Sequence, residues 1–221
     1  HVPSLEIWEL EHAIEASSSR TMAELRQELS ENCSNLKGVV FVDNNSNHIS
    51  EYLDHVFRRL ECCTFPYCSF GSAVLLSLLV HQASLTTIVM IEPKVISLYV
   101  DDETPSSQML IGLILRSCRR LKILSIKGHV MDVDYLEDQE VVCEGLQELR
   151  VCFRGLNIPA AINNCLVRLA SMKTLSTSLN ATDEFHKDDE SIELRICHQL
   201  MRFKKLKTVW LGTRDYYLPT Q

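Results

Sequence analysis

Cys118-Arg-Arg-Leu121-Lys-Ile-Leu124-Ser-Ile126 and Cys143-Glu-Gly-Leu146-Gln-Glu-Leu149-Arg-Val151 are two copies of one pattern. In each copy a cysteine stands three residues before a leucine, and two more apolar residues follow that leucine at the third and fifth positions. The alternation in the last part predicts a short strand with one buried face. The cysteine and the first leucine, three residues apart, predict the end of a helix that faces the same interior.

The same pattern recurs along the whole chain, in eight irregular copies. One strand and one helix cannot bury their apolar faces alone, so neighbouring copies are expected to stack into a solenoid. The opening and Met172 copies are the most degenerate. The three apolar positions, copy by copy, are Leu5, Trp8, Leu10; Leu36, Val39, Phe41; Leu60, Cys63, Phe65; Leu85, Ile88, Met90; Leu121, Leu124, Ile126; Leu146, Leu149, Val151; Met172, Leu175, Thr177; and Leu206, Val209, Leu211.

The segments between the copies have the apolar spacing of helices. Helices are predicted over 48–59, over 72–81 as a deeply buried helix, from Thr104-Pro105, from Pro159 and over 191–203. A strand and a helix per copy, joined by right-handed crossovers, predict an α/β horseshoe with parallel strands on the concave face and helices on the convex face. We expect residues 1–221 to form a single domain, with acidic insertions at 101–107 and 183–190.

Composition excludes several classes of protein. The 221 residues carry a net charge of −7, with 46% hydrophobic and 23% charged residues, which is typical of a soluble globular protein. The acidic balance argues against nucleic-acid binding. No apolar run reaches the length of a membrane span, and no leader sequence is recognised. The expectation is a monomer in the cytoplasm or nucleus, and the initial His1 suggests a fragment of a longer protein.

Motifs for common enzymes are missing. The sequence contains no GxxxxGK[ST], GxGxxG, GxSxG or HExxH. We therefore expect no catalytic residues, no cofactor and no bound metal, and a binding protein rather than an enzyme. An α/β hydrolase or metal enzyme stays open as the alternative, and it would need His, Asp and Cys side chains that converge at strand ends.

The nine cysteines are an odd number and form no CxxC motif, which favours reduced, buried thiols. The basic run at Arg202, Lys204, Lys205 and Lys207 is interpreted as the solvated end of a helix rather than a nucleic-acid patch. Three less favoured alternatives are a metal site at Cys63, Cys68 and His81, a disulfide between Cys118 and Cys143, and a catalytic pair of Cys62 with His81.

The strand residues that alternate with the buried ones should form the concave face. In the early copies they are apolar, whereas later copies add charged residues and a tryptophan, a composition typical of protein-binding surfaces. Lys127 and Arg150 are expected to be neighbours, with Trp210 two repeats further along. The predicted binding residues are Val40, Val42, Thr64, Val89, Ile91, Ser125, Lys127, Glu148, Arg150 and Trp210.

The repeats resemble cysteine-containing leucine-rich repeats of the ribonuclease-inhibitor-like kind. Together with the C-terminal phrase 203–220, the copies at Cys118 and Cys143 look like fungal F-box/leucine-rich-repeat proteins. The resemblance implies the substrate-recognition repeats of a cullin-RING (SCF) ubiquitin ligase, with a protein substrate on the concave face. An F-box that binds a Skp1-type adaptor is expected only outside this chain. A plain leucine-rich-repeat scaffold stays open as an alternative.

Overall fold

The computed structural model describes residues 7–11, 24, 27, 31, 36–44, 46–55, 57, 59–68, 71–91, 107–132, 141–154, 171–180, 200–202 and 204–213. Within them the chain is α/β, with one parallel sheet and helices between its strands. The strands are β1 (Ile7–Glu11), β2 (Gly38–Val42), β3 (Cys62–Pro66), β4 (Thr87–Ile91), β5 (Ile123–Asp132), β6 (Glu148–Arg154), β7 (Thr174–Asn180) and β8 (Thr208–Thr213). The helices with described bounds are α1 (Ser46–His55), α2 (Ser72–Val80) and α3 (Ser107–Ser117).

The order of the strands in the sheet is their order in the chain, and every neighbouring pair is parallel. Each strand contains the alternating part of one sequence copy, and the copies pair in the register that their alignment predicts. The middle apolar position of every copy therefore forms one line across the sheet: Trp8, Val39, Cys63, Ile88, Leu124, Leu149, Leu175 and Val209. The predicted strands are confirmed, and so is their register, except that the β5–β6 pairing shifts after Ser125.

A repeated hydrogen-bond arrangement joins successive copies from β2 onward. The carbonyl oxygen just before one strand accepts two consecutive backbone N–H groups at the start of the next strand. The Lys37 oxygen accepts from Glu61 (2.6 Å) and Cys62 (3.1 Å), and the same occurs at each later junction. The accepting oxygens belong to Lys37, Glu61, Thr86, Lys122, Gln147 and Lys173. Both lone pairs of each carbonyl are thus used where the chain enters a strand.

The core lies between the sheet and the helices. The aromatic ring of Phe41 stacks on that of Phe65, with centroids 5.6 Å apart and planes within 1°. Tyr52 and Phe57 meet the Phe41 ring edge-on, at 6.2 Å and 6.4 Å. Such aromatic pairs add roughly 0.5–1.5 kcal/mol each beyond the burial of their surface. The fully buried positions further along the sheet include Ile88, Leu124, Ile126, Leu149 and Leu175.

The three helices lie side by side, with α2 in contact with both α1 and α3. The predicted helix over 48–59 is present as α1, which ends at His55, and the helix over 72–81 is present as α2. The expectation that α2 is deeply buried is wrong. Its inward side is buried, but Leu76 is 43% and Val80 is 65% exposed, because an all-apolar helix in one layer still has an outward side. The starts predicted at Thr104-Pro105 and Pro159, residues 101–106 of the first acidic insertion and the whole second insertion lie outside the described residues.

Two strands end in the same tight turn. Asp43 and Tyr67, the residues that follow β2 and β3, have φ values of 56° and 57°. The turn brings the Cys68 thiol to the Phe41 carbonyl, to which it donates a hydrogen bond of 2.8 Å. β2 and β3 therefore share the same backbone arrangement at both ends: the doubly accepting carbonyl before the strand and the tight turn after it.

The repeat register predicts the effect of a charge at Leu124. Leu124→Asp would place an unpaired carboxylate at a fully buried position in line with Ile88 and Leu149. We expect a loss of about 3–5 kcal/mol in the free energy of unfolding, or an insoluble chain. Lys122→Asp, which places the same group at an exposed position two residues earlier, should change stability by about 0.5 kcal/mol or less. Equal midpoints of urea unfolding for the two variants would contradict the register.

Candidate functional site

The candidate site is the open sheet face, formed by the strand residues that alternate with the buried ones. Two lines of Cα partners run across it. One contains Gly38, Cys62, Thr87, Ile123, Glu148, Thr174 and Thr208, and the other contains Val40, Thr64, Val89, Ser125, Arg150, Ser176 and Trp210. Six of the ten predicted binding residues thus fall on the second line, and Glu148 falls on the first. Trp210 is two strands from Arg150, as predicted, although its side chain lies outside the described residues.

The part of the open sheet face on β2, β3 and β4 has no charge. Val40, Val42, Thr64 and Val89 are half-buried, and Ile91 is 44% exposed. Cys62 lies beside Thr64 on this face, and the two side chains form a hydrogen bond. This region offers branched apolar side chains with only thiol and hydroxyl groups between them, which suits an apolar partner surface.

On β6, the open sheet face carries two charged side chains, Glu148 and Arg150. Arg150 Nε lies 2.7 Å from Glu148 Oε1, because residues two apart on a strand point to the same side. The Nε–H does not point at that oxygen well enough for a hydrogen bond, so the contact is an ion pair. Both side chains are partly exposed, at 38% and 26%, and such a pair contributes about 1 kcal/mol or less. Its main consequence is to hold the guanidinium group over the sheet.

Two predicted binding residues, Ser125 and Lys127, differ from the others: one is buried, and the other lies outside the regular pairing. Ser125 lies on the face by register, but it is only 4% exposed. Its neighbours on the line are Val89 and Arg150, and a serine side chain is shorter than either, so they shield it. Ser125 therefore lies on the predicted face but offers almost no surface to a partner.

Lys127 falls on an irregular part of β5. The pairing with β6 runs from Ser125 opposite Arg150 directly to Val130 opposite Cys152. Three extra residues of β5 are therefore accommodated between those two pairs, and the regular ladder that would have placed Lys127 opposite Cys152 is interrupted. The regular pairing on which the expected proximity of Lys127 and Arg150 was based is interrupted, and the Lys127 side chain lies outside the described residues.

The structure adds one residue to the line that the sequence analysis missed. Glu9 of β1 is the Cα partner of Val40, so an acidic residue stands at the start of that line. The signal was present, since Glu9 lies between Trp8 and Leu10 in the opening copy. That copy is degenerate, so its pattern alone does not place Glu9 on the open face.

The five cysteines with described side chains are reduced thiols, and Cys118 and Cys143 form no disulfide. Burial raises the pKa of Cys118 and of Cys143 to about 12, and raises the pKa of Cys63 well above its ordinary value. Burial also raises the pKa of half-buried Cys62, against a smaller opposing effect of its hydrogen bond with Thr64. Each described thiol whose pKa is raised is therefore held in its unreactive protonated form.

His81 is a buried histidine at the end of α2, only 2% exposed. Its Nε2 lies 3.0 Å from the Leu53 carbonyl oxygen, so the Nε2–H form donates a hydrogen bond to α1. The other nitrogen, Nδ1, is buried without a hydrogen-bond partner in the described part of the chain. Burial lowers the pKa of His81, against smaller opposing effects of the Leu53 hydrogen bond and the charge of Asp54. His81 thus joins two helices as a neutral group.

Neither of the other cysteine alternatives finds a site among the described residues. No group of three His, Cys, Asp or Glu side chains there could hold a metal ion. Cys68 donates to the Phe41 carbonyl and His81 faces Leu53, so each has a structural contact of its own. The basic side chains of Arg202, Lys204, Lys205 and Lys207 are exposed, as expected, but they lie in the turn and the segment that enter β8.

No protein-family model, curated protein or solved structure matches this chain. Across the residues that the structure describes, no helix has both the length and the apolar character to cross a membrane. The open sheet face is therefore the feature of the molecule that indicates a function.

The buried thiols predict slow modification. With pKa values of about 12, Cys118 and Cys143 have on the order of one thiolate in ten thousand at pH 8. Pulsed alkylation of the native protein should label half-buried Cys62 first, and Cys118 and Cys143 only as the chain unfolds. Mass spectrometry of the labelled peptides measures this order, with urea-denatured protein as the control. Native labelling of Cys118 as fast as Cys62 would contradict the packing.

His81 predicts a loss of stability in mild acid. Its pKa is lowered in the folded state, so below about pH 6.5 the unfolded chain takes up a proton that the folded chain resists. The free energy of unfolding should therefore fall between pH 7.5 and pH 5.5, in part because of this residue. In His81→Gln the fall should be smaller, since the other histidines contribute equally to both proteins. Urea titrations at the two pH values measure the difference, and an identical fall in the two proteins would overturn the assignment.

Proposed function

We propose that the chain is a leucine-rich-repeat solenoid that binds a protein partner, and that it forms the substrate-recognition repeats of an F-box protein in an SCF ubiquitin ligase. The observation that carries the proposal is the sequential parallel sheet whose alternate residues form one continuous open face. A sheet built in this order adds one strand per repeat, as a solenoid does. In a horseshoe, that open face is the concave one.

The composition of the face supports binding of a protein. Its β2–β4 part is apolar and uncharged, and Ile91 is substantially exposed there. The ion-paired Arg150 stands at the other side, three strands from Thr64 in the same line of Cα partners. An apolar area beside a held guanidinium group is the arrangement in which arginine dominates binding energy. The acidic insertions are the second candidate for the contact region.

The ligase role rests on the resemblance of the repeats and needs its own test. Full-length parent protein that contains an upstream F-box should copurify with a Skp1-type adaptor, whereas the 221-residue chain alone should not. Failure of the full-length protein to bind the adaptor would leave the plain scaffold as the function. A screen for hydrolytic turnover by the purified chain, with and without chelator, tests the enzyme alternative.

The binding face itself is tested at Arg150. After a partner is identified with the chain as bait, Arg150→Ala and Trp210→Ala should each weaken its affinity about 30-fold, equivalent to about 2 kcal/mol. Neither residue has an apolar anchor role in its strand, so the stability of Arg150→Ala should stay within about 1 kcal/mol of the original. Lys122→Ala removes an equal charge away from the open sheet face and serves as the matched control. Unchanged affinity in both variants, measured by calorimetry, would move the contact to the acidic insertions.

A further inference from the structure

The outward sides of the three helices form a second surface, which the proposed function does not use. Each helix has one outward stripe of residues at helical spacing, exposed on α1 and α2, whereas on α3 Met109 is exposed and Leu113 and Arg116 are half-buried. We call them together the helix face. The stripes are Asn47, Glu51 and Asp54 on α1; Ala73, Leu76 and Val80 on α2; and Met109, Leu113 and Arg116 on α3.

The middle stripe is apolar and exposed. Val80 is 65% and Leu76 is 43% exposed, and Met109 on the neighbouring helix is 43% exposed. The core does not require these side chains, because Val74, Leu75 and Leu78 already supply the inward side of α2. A contiguous apolar stripe with charged residues on its borders is typical of an interaction surface.

The two borders of this stripe carry opposite charges. Glu51 and Asp54 are exposed carboxylates on α1. On α3, half-buried Arg116 uses its Nε–H for a 3.2 Å hydrogen bond to the Gly112 carbonyl of its own helix, which leaves the donors of its terminal nitrogens for other contacts. Because α2 packs against both helices, the negative border lies on one side of the apolar stripe and the positive border on the other.

The stripes are also level with one another along the helix axes. The level of a residue can be measured by its distance in sequence from the first apolar residue of the strand copy that follows its helix. That residue is Leu60 for α1, Leu85 for α2 and Leu121 for α3. By this measure, corresponding residues of the three stripes have nearly equal positions. Asp54, Val80 and Arg116 stand six, five and five residues before it. Glu51, Leu76 and Leu113 stand nine, nine and eight residues before it.

We propose that the helix face binds a second copy of this chain, about a two-fold axis parallel to α2. That axis places α1 of each copy over α3 of the other, so that Asp54 faces Arg116 of the other copy on both sides. Leu76 and Val80 then pack against their own counterparts at the centre. A two-fold axis across the helices would instead place α1 over α1, with carboxylates facing carboxylates, which like-charge repulsion disfavours.

The self-complementary borders favour a second copy over a different partner. An isologous interface needs each feature on one side of the axis to match its complement on the other. Negative and positive borders at the same level, one helix away from an apolar centre, meet that requirement. The sequence alone suggested a monomer, and the arrangement of the helices is what leads to the dimer. The open sheet face stays accessible in both copies.

Sedimentation equilibrium of the 221-residue chain tests the proposal. The original protein should show a mass of about twice 25.2 kDa, with a dissociation constant that rises with salt. Val80→Lys, at an exposed position, should weaken dimerisation at least about tenfold without lowering the melting temperature. A protein that remains at 25.2 kDa up to about 1 mM would overturn the proposal.

Charge reversal tests the axis. Asp54→Arg and Arg116→Asp should each weaken dimerisation about tenfold or more by placing like charges together, and the double variant should recover the original dissociation constant to within about threefold. Lys207→Asp, an equal reversal at an exposed position in the segment that enters β8, is the matched control and should have no effect. Dimerisation that survives both single reversals, or is lost in the double variant while its melting temperature is unchanged, would overturn this two-fold arrangement.

Discussion

The carbonyl oxygen before each strand is the constraint on which the rest of this fold depends. From β2 to β8, that oxygen accepts two consecutive N–H groups of the next copy, at distances between 2.6 and 3.1 Å. The arrangement satisfies the backbone where the chain leaves a helix layer and enters the sheet, a place where unpaired polar groups would be costly. It also sets the register, because two adjacent donors locked to one acceptor leave the following strand a single alignment.

Register then decides which side chains are buried. Side chains alternate along a strand, so a slip of one residue would expose every core residue of that strand and bury its open-face residues. The line from Val39 through Leu124 to Leu175 is fully buried because six junctions repeat the same alignment. Between junctions the chain is less constrained. The segment from one anchor to the next spans from Leu60 to Leu85 in one copy and from Leu85 to Leu121 in the next, while the pairing of the strands is unchanged.

Part of the fold could be predicted from the spacing of apolar residues along the sequence. The eight strands and their order follow from apolar residues at fixed offsets, as does the buried side of β2 to β7, and the structure has them in place. It could not predict the exposure of a particular open-face residue. Ser125 has the right register, but its burial depends on the lengths of Val89 and Arg150 on neighbouring strands. The Lys127 segment departs from the ladder because β5 holds more residues than β6 between the same two pairs, and a local pattern does not reveal such a mismatch.

The exposed outward side of helix α2 could not be predicted from its apolar pattern. Its sequence, SAVLLSLLV, is apolar on all sides, and that pattern is typical of a helix buried all round. In a layer one helix thick, however, only the side toward the sheet and the sides toward α1 and α3 can be buried. Leu76 and Val80 are therefore exposed by the architecture, although nothing in the core requires apolar residues at those two positions. A polar side chain there would leave the inward packing unchanged, and a contiguous apolar stripe of this kind is typical of a surface that is covered in an assembly.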